Sequence, residues 1–242
     1  MSWKPTFLSL SLIFLVACGS STKVRLEKMD RSPVTNGVRL ILKTPKDSLL
    51  LADMPIRFEV EGFELGAQTD HPNAQRIANS AKGQHIHLII DNAPYMAHYA
   101  PEFKSQLNGK EKVMLAFLSR SFHESVKVPE AFVFEVLTDA NRQALQNGKH
   151  LFHSRPKGTY KAGQPILLDF YLINTDLKDG THILASIDGN EFIIRDWQPH
   201  WIHGLEPGEH TVSLSLINPE GEPIKGPFSQ SNNRTFTIKQ KP

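Results

Sequence analysis

The sequence predicts an all-β protein made of two tandem Ig-like β-sandwich domains that follow a lipoprotein signal peptide. Three observations predict this fold. Short segments rich in β-branched and aromatic residues alternate with turns containing Gly, Pro, Asn and Asp. Five blocks of sequence recur in the same order in the two halves of the chain. Segments with a helical pattern are short and few.

The N-terminus has the pattern of a bacterial lipoprotein signal peptide. Lys4 is followed by a short apolar run over residues 7–16, and residues 15–18 read Leu-Val-Ala-Cys. The run is too short to span a bilayer. We therefore expect a signal peptide over residues 1–17 and a lipidated tether over 18–35 that begins at Cys18. The alternative is an ordinary signal peptide with a cysteine there by chance.

Lipidation also predicts a compartment and a first partner. Cys18 is the only cysteine among 242 residues, so neither a disulfide nor a cysteine-based zinc site is expected. A diacylglyceryl group on Cys18 would insert into membrane lipid. Gly19 follows where an Asp would favour retention at the inner membrane. The expected location is the cell envelope, at the outer membrane facing the periplasm.

The charge balance excludes nucleic acid as a partner. Removing residues 1–17 takes away one of 27 basic residues and none of the 25 acidic residues, which leaves a formal charge of +1. No basic stripe or polybasic tail is present. We therefore expect neither nucleic acid nor anionic lipid headgroups to bind through charge alone.

The five recurring blocks indicate a tandem duplication. They place the first β-sandwich at residues 36–137, a linker at 138–146 and the second β-sandwich at 147–242. Order and spacing are preserved together, which chance similarity would not produce. The blocks 36–46, 52–56, 83–91, 109–117 and 124–129 match 147–157, 162–166, 180–188, 208–216 and 222–227.

The two copies differ by an insertion. Pro55 and Gly83 are 28 positions apart, whereas Pro165 and Gly180 are 15 apart, so the first copy has 13 extra residues there. Loops of this length are more often functional or disordered than idle. Weak helical patterns occur within this insertion, at 73–81, and in the linker, at 140–146.

The strand that follows the insertion has the strongest functional pattern. Residues 83–91 read Gly-Gln-His-Ile-His-Leu-Ile-Ile-Asp. Side chains alternate along a strand, so His85 and His87 share one face, with Cβ atoms about 7 Å apart. His98 and His123 are the expected further ligands, with His71 as another candidate. Such an imidazole set suits copper or zinc.

The alternative is that these histidines are structural. The second copy has His182 in place of His85, but Leu184 in place of His87. His98 and His123 also have no histidine counterpart there. The scaffold therefore does not require His87, His98 or His123, which favours a ligand-binding role in the first copy, although buried histidines commonly bind only backbone or carboxylate groups.

The chain resembles a family of small bacterial exported domains of unknown function. The resemblance covers about residues 50–137 and rests on Val-Glu-Gly at 60–62, the histidine strand at 83–91 and Asn-Gly at 108–109. Members often have three consecutive histidines, and Gln84 stands at the first of those places here. The two-domain layout, with segments 116–121 and 152–157, is similar to lipoproteins common in marine and Bacteroidetes-type bacteria. The resemblance implies the fold and the compartment, and no activity.

A second cluster offers a different ligand. Residues 119–127 read Ser-Arg-Ser-Phe-His-Glu-Ser-Val-Lys. Charge-assisted hydrogen bonds from Ser119, Arg120, Ser121 and Lys127 could hold an anion or a phosphopeptide. The alternative is a solvated turn between strands.

The remaining motifs favour a binding module over an enzyme. Trp197 and Trp201 could contact an envelope protein or a glycan, or could pack inside the sandwich. No nucleophile elbow, phosphate-binding glycine loop or zinc-protease motif occurs in the sequence. We therefore expect a membrane-anchored, non-enzymatic binding module, with a metal as the first ligand to test and a structural scaffold as the alternative.

Overall fold

The computed structural model describes residues 23–34, 36–44, 54–104, 107 and 109–240. Cys18 and the predicted signal peptide lie outside these residues. No helix within the described ranges is long and apolar enough to cross a membrane.

The described chain forms sixteen strands and two short α-helices, α1 (Asn73–Arg76) and α2 (Arg142–Asn147). The all-β prediction is confirmed; α1 lies within the predicted segment 73–81, and α2 overlaps the predicted segment 140–146 and ends one residue beyond it. The strands of the first half are β1 (Arg25–Lys28), β2 (Arg39–Thr44), β3 (Pro55–Glu61), β4 (His85–Ile90), β5 (Met96–His98), β6 (Glu102–Lys104), β7 (Val113–Ser119) and β8 (Phe132–Val136). Those of the second half are β9 (His150–Arg155), β10 (Gly158–Tyr160), β11 (Ile166–Ile173), β12 (His182–Ile187), β13 (Asn190–Ile194), β14 (His200–His203), β15 (Gly208–Ile217) and β16 (Arg234–Ile238).

The strands form two sandwiches with the same topology. In the first, a sheet of order β2-β3-β6 packs on a sheet of order β5-β4-β7-β8. In the second, β9-β11-β14 packs on β16-β15-β12-β13, with β1 and β10 added at the edges. Each strand of the first sandwich therefore has a counterpart in the second, as a tandem duplication requires.

The two sandwiches share a turn in which an aspartate caps the neighbouring strand. The hairpin after β4 turns through Asp91 and Asn92, and the hairpin after β12 turns through Asp188 and Gly189, all with positive φ. Such turns match the twist of the flanking strands. The Asp91 carboxylate accepts backbone N–H groups at the start of β7, and Asp188 accepts the N–H of Thr211 in β15. Each aspartate therefore fixes the same pair of strands in its own sandwich.

Part of the predicted tether belongs to the fold. Arg25–Lys28 forms β1, which pairs antiparallel with β14 of the second sandwich. Met29, immediately after it, is 2 % exposed and packs with Trp201. The segment lacks the alternation of a half-buried strand over a long enough run for the sequence to indicate a strand. Residues 25–29 of the predicted tether therefore attach to the second sandwich before the first one begins.

The two sandwiches pack face to face. Alternate residues of β7 enter different cores: Met114 and Leu118 face the interior of the first sandwich, whereas Leu115 and Phe117 pack against Tyr171 of β11 and its neighbours. All seven residues of β7 and all eight of β11 are buried for this reason. The outer face of β4, which has the histidines, is therefore enclosed between the sandwiches.

Candidate functional site

Three of the predicted histidines converge at the interface between the sandwiches. His85 and His87 lie on the outer face of β4 and are fully buried. The Nε2 atoms of His85 and His87 are 2.9 Å apart, and the Nδ1 atom of His123 is 3.2 Å from Nε2 of His85. One nitrogen from each ring lies within 4.8 Å of the others. We call this group the histidine triad.

The strand register explains why His123 joins the pair. His85, the first residue of β4, pairs with Ser119, the last residue of β7. The chain then turns tightly, with a hydrogen bond from the N–H of His123 to the carbonyl of Arg120, and His123 itself has a φ of 70°. This turn brings the His123 ring back over the end of β4.

His98, the fourth predicted ligand, lies on the opposite face. It pairs with Ile86 across the β4–β5 ladder, and residues paired in this way point to the same side of the sheet. Its ring stacks on Phe103 with centroids 3.4 Å apart, inside the first sandwich. Prediction of His98 as a ligand was therefore wrong: its distance from the histidine strand in sequence gave no information on which face it occupies.

His71 also lies apart from the triad. Its Nδ1 atom accepts a hydrogen bond from the backbone N–H of Asn73, and its ring stacks on Phe122.

Hydrogen bonds orient two of the three rings. Nδ1 of His85 lies 2.8 Å from the carbonyl oxygen of Gly83 and, because a carbonyl only accepts, Nδ1 must donate. Burial lowers the pKa of His85 to about 4, so the ring is neutral at pH 7 and its Nε2 has a lone pair. Nδ1 of His87 lies 3.1 Å from Oγ of Ser154 in β9. Partners of this kind fix the orientation of metal-binding imidazoles.

The insertion of the first copy holds this arrangement in place. The N–H of Gly66 donates to the carbonyl of Gln84, and the N–H of Gln84 donates to the carbonyl of Ala67, so the two ends of the loop are paired. Gly83 has a φ of +80°, and a Cβ there would lie 2.2 Å from the carbonyl oxygen of Gly66. Only glycine fits this approach, which places the Gly83 carbonyl against His85.

All three triad rings are neutral at pH 7. Burial lowers the pKa of His87 well below its usual value and that of His123 to about 2, with further lowering by the positive charge of Arg155. Neutral imidazole is the form that binds a metal ion. The surroundings are nevertheless cationic, because Arg155 and Lys157 approach the ring of Tyr95, which stacks on His87 with centroids 3.6 Å apart.

The predicted anion cluster does not form a site. Lys127 is buried and paired with Asp169 of β11, with side-chain exposures of 1 % and 0 %. Arg120 lies 3.6 Å from the Glu124 carboxylate and donates to the carbonyl oxygens of Ser32 and Pro33. Ser119 and Ser121 are fully buried. That prediction was wrong because the tertiary structure supplies internal partners for both cations.

The tryptophans are packing residues. Trp201 is 7 % exposed, and Trp197 donates from Nε1 to the carbonyl of Phe170 and stands edge-on to Tyr171 with centroids 5.0 Å apart. The two tryptophans therefore pack inside the protein. They do not form an exposed surface for an envelope protein or a glycan.

Sequence reasoning missed the residues that the second sandwich and the β4–β5 hairpin contribute. Ser154, Arg155 and Lys157 surround the triad from the far side of the interface, and Tyr95 covers His87. They are separated from the histidine strand by up to about 70 positions, and no local pattern connects them. Only the packing of a sheet of one sandwich against a sheet of the other brings these residues to the triad.

The buried histidines predict a specific dependence of stability on pH. His153, which is not one of the triad histidines, is fully buried, and burial with the nearby charge of Arg234 lowers its pKa to about 3. Between pH 6.5 and 3 the unfolded chain binds a proton that the folded chain does not, so stability is present above pH 6.5 and is lost as the pH falls. We expect this residue alone to contribute about 1.4 kcal/mol per pH unit.

Urea denaturation in EDTA at pH 4.5 to 7.5 measures this slope. We expect His153→Gln to reduce the slope by about 1.4 kcal/mol per pH unit, whatever its effect on absolute stability. His182→Gln, at a half-exposed histidine, is the matched control and should leave the slope unchanged. An unaltered slope in His153→Gln would show that His153 binds its proton over the same pH range in the folded and the unfolded chain.

Comparison with known proteins gives little further information. No family model matches the chain, and no curated protein matches it. Among solved structures, it is similar to fibronectin(III)-like modules of Clostridium thermocellum CbhA, with 12 % sequence identity and a TM-score of 0.27. The alignment covers 84 % of this chain and 94 % of that chain.

Proposed function

We propose that this chain is a lipid-anchored, non-enzymatic binding protein of the bacterial cell envelope that binds one copper or zinc ion through His85, His87 and His123. The anchor is supported by the apolar run at residues 7–16 and by the Leu-Val-Ala-Cys sequence that ends at Cys18. The metal is supported by the geometry of the triad.

One observation carries the metal proposal. The Nδ1 proton of His85 is committed to the Gly83 carbonyl, so the lone pair on Nε2 of His85 faces Nε2 of His87 at 2.9 Å and Nδ1 of His123 at 3.2 Å. Two imidazoles that share one metal ion at bond lengths of about 2.0 to 2.1 Å have their nitrogens at comparable separations. A metal ion is therefore the ligand that best uses three converging ring nitrogens.

In the metal-free protein, protons can satisfy the same nitrogens. Nε2–H of His87 can donate to Nε2 of His85 while the Ser154 hydroxyl donates to Nδ1 of His87. Metal binding then requires His87 to move its proton to Nδ1, where the Ser154 oxygen accepts it. The serine hydroxyl suits both states because it both donates and accepts.

The charge environment sets the expected affinity. The three ligands are neutral, and the positive charges of Arg155 and Lys157, from the second sandwich, are close enough to lower the pKa of His123. These positive charges would weaken the binding of a divalent ion, and the triad has no carboxylate to offset them. We expect a dissociation constant of about micromolar, weaker than that of sites that include thiolates or carboxylates.

Replacement of one triad histidine should remove the site. We expect His87→Ala to abolish stoichiometric binding, with a loss of affinity of about 100-fold or more, because the two remaining rings form an incomplete ligand set. The measurement is calorimetric titration of the untagged full chain in detergent with Zn(II) and with Cu(II), together with elemental analysis. His182→Ala is the matched control, since His182 corresponds to His85 in the second sandwich and has no such partners.

Two results would contradict the proposal. Wild-type protein that binds neither ion at stoichiometric level would leave the triad as a hydrogen-bonded structural network. Binding that persists in His87→Ala, with an unchanged near-UV circular dichroism spectrum, would place the metal elsewhere. In the first case the scaffold function, with an envelope protein or a glycan as the partner, becomes the better hypothesis.

A further inference from the structure

A second site candidate lies beside the triad and uses different residues. A cleft of about 300 Å³ opens at the junction of the two sandwiches, and its lining includes Ser154, Lys157, Asn232, Asn233, Arg234 and Thr235. We call it the junction cleft. Pro94, from the hairpin of the first sandwich, also borders it, so that both sandwiches form its wall.

The cations of the junction cleft lack acidic partners. Lys157 and Arg234 line it, and Arg155 lies two residues before Lys157 in the chain. Among the residues that the structure describes, no Asp or Glu forms an ion pair with any of the three. Burial, Arg155 and Arg234 together lower the pKa of Lys157, which indicates that these positive charges act on one another.

The protein satisfies these cations only in part. The Lys157 ammonium donates to the carbonyl oxygen of Tyr95 at 2.5 Å, and the Arg234 guanidinium donates to the carbonyl oxygen of Asn92. The Nε–H groups of Arg155 and Arg234 are buried and have no hydrogen-bond partner within the described chain. A buried donor without a partner costs about 1 to 3 kcal/mol, and more when it is charged.

The junction cleft combines an exposed lysine, Lys157, with a buried arginine, Arg234, and neither has the carboxylate partner that Arg120 and Lys127 have. Arg120 and Lys127 each have a buried carboxylate, Glu124 and Asp169 respectively, as a permanent partner. The Nε–H of Arg120 also lacks a hydrogen-bond partner among the described residues, so the difference lies in the counter-charge: Arg120 and Lys127 have one within the protein and the cations of the cleft do not. The uncompensated charge in the junction cleft is the condition expected where the partner is a ligand.

We propose that the junction cleft binds the phosphate group of a small polar phosphomonoester, with Lys157 and Arg234 as its charged contacts. A phosphomonoester has a charge of about −1.5 to −2 at pH 7, which matches two cations better than a single carboxylate does. The cleft volume exceeds that of phosphate alone, and Asn232, Asn233 and Thr235 present amides and a hydroxyl to the polar remainder of the ligand. The site contains no triad nitrogen, so it stands apart from the metal proposal.

The test is calorimetric titration of the full chain in mild detergent with EDTA present, so that metal contributes nothing. The probes are inorganic phosphate, glucose 6-phosphate and glycerol 3-phosphate, with glucose as the uncharged control. We expect binding of the phosphorylated probes, and none of glucose. Tighter binding of glucose 6-phosphate assigns a soluble sugar phosphate as the source, and tighter binding of glycerol 3-phosphate assigns a lipid headgroup.

The variant Lys157→Gln should weaken phosphomonoester binding about tenfold or more without unfolding the protein, because residue 157 is exposed. Lys161→Gln removes a charge four residues away, outside the cleft, and should bind as the wild type does. Absence of binding by every phosphorylated probe would overturn the proposal. Equal binding by Lys157→Gln and Lys161→Gln would overturn it as well, because the affinity would then come from general surface charge.

Discussion

Replacing Asp169 with alanine is expected to lower the free energy of unfolding by about 3 to 5 kcal/mol, because it leaves the Lys127 ammonium buried without a counter-charge. The two side chains are 0 % and 1 % exposed and form an ion pair across the interface between the sandwiches. The Asp169 carboxylate also accepts the backbone N–H of Ser125 at 3.0 Å. The substitution therefore leaves two buried donors with fewer acceptors.

Urea denaturation followed by circular dichroism measures this loss. The matched control is Glu59→Ala, which removes the carboxylate of an exposed pair 2.6 Å from Lys43 and should leave the midpoint close to that of the wild type. Replacing both partners, as in Lys127→Met with Asp169→Leu, should restore most of the stability, since no buried charge then remains. A small effect of Asp169→Ala alone would show that water reaches Lys127.

Replacing Phe117 with alanine is expected to cost about 3 to 5 kcal/mol and to destabilise both sandwiches together. Phe117 is fully buried on the outer face of β7, where its ring stacks on Tyr171 of the second sandwich with centroids 4.7 Å apart. It also meets the ring of His87 edge-on at 5.2 Å. The cavity would therefore open at the point where the interface supports the histidine triad.

The readout is the number of unfolding transitions as well as their midpoint. Because the apolar interface joins the two sandwiches, we expect one transition for the wild type and an earlier one for Phe117→Ala, while Phe117→Leu retains most of the stability. Ile193→Ala, at a side chain that is 44 % exposed, is the control and should shift stability by about 0.5 kcal/mol or less. A variant in which one sandwich unfolds early and the other at the wild-type midpoint would show that the sandwiches are independent.

Both proposed sites depend on the same interface. Ser154 contacts His87 through its hydroxyl and also lines the junction cleft, so one residue of β9 borders both. Asn92, in the hairpin after β4, accepts the N–H of His153 and donates to the carbonyl of Leu151. These contacts fix β9 against the first sandwich and thereby fix the walls of both sites.

The sequence alone determined the class of fold and the repeat because both depend on local patterns. β-branched and aromatic segments separated by turn residues predict strands, and the matched blocks predict that the order of the strands is repeated. It also determined that His85 and His87 share a face, since the alternation of side chains along a strand is a property of the backbone. The same rule could not be applied to His98, because its side of the sheet depends on which residue of β4 it pairs with.

Only the tertiary structure decided what the outward faces of the sheets meet. Strands β4, β7 and β11 are buried on almost their whole length on both faces, and such strands could pack within one sandwich or between two. The docking of β7 against β11 brought Ser154 and Lys157 to the triad and gave Lys127 the partner Asp169. Alternation along a strand is set by neighbouring residues, whereas the pairing of two faces depends on contacts between residues far apart in the chain, which no local pattern encodes.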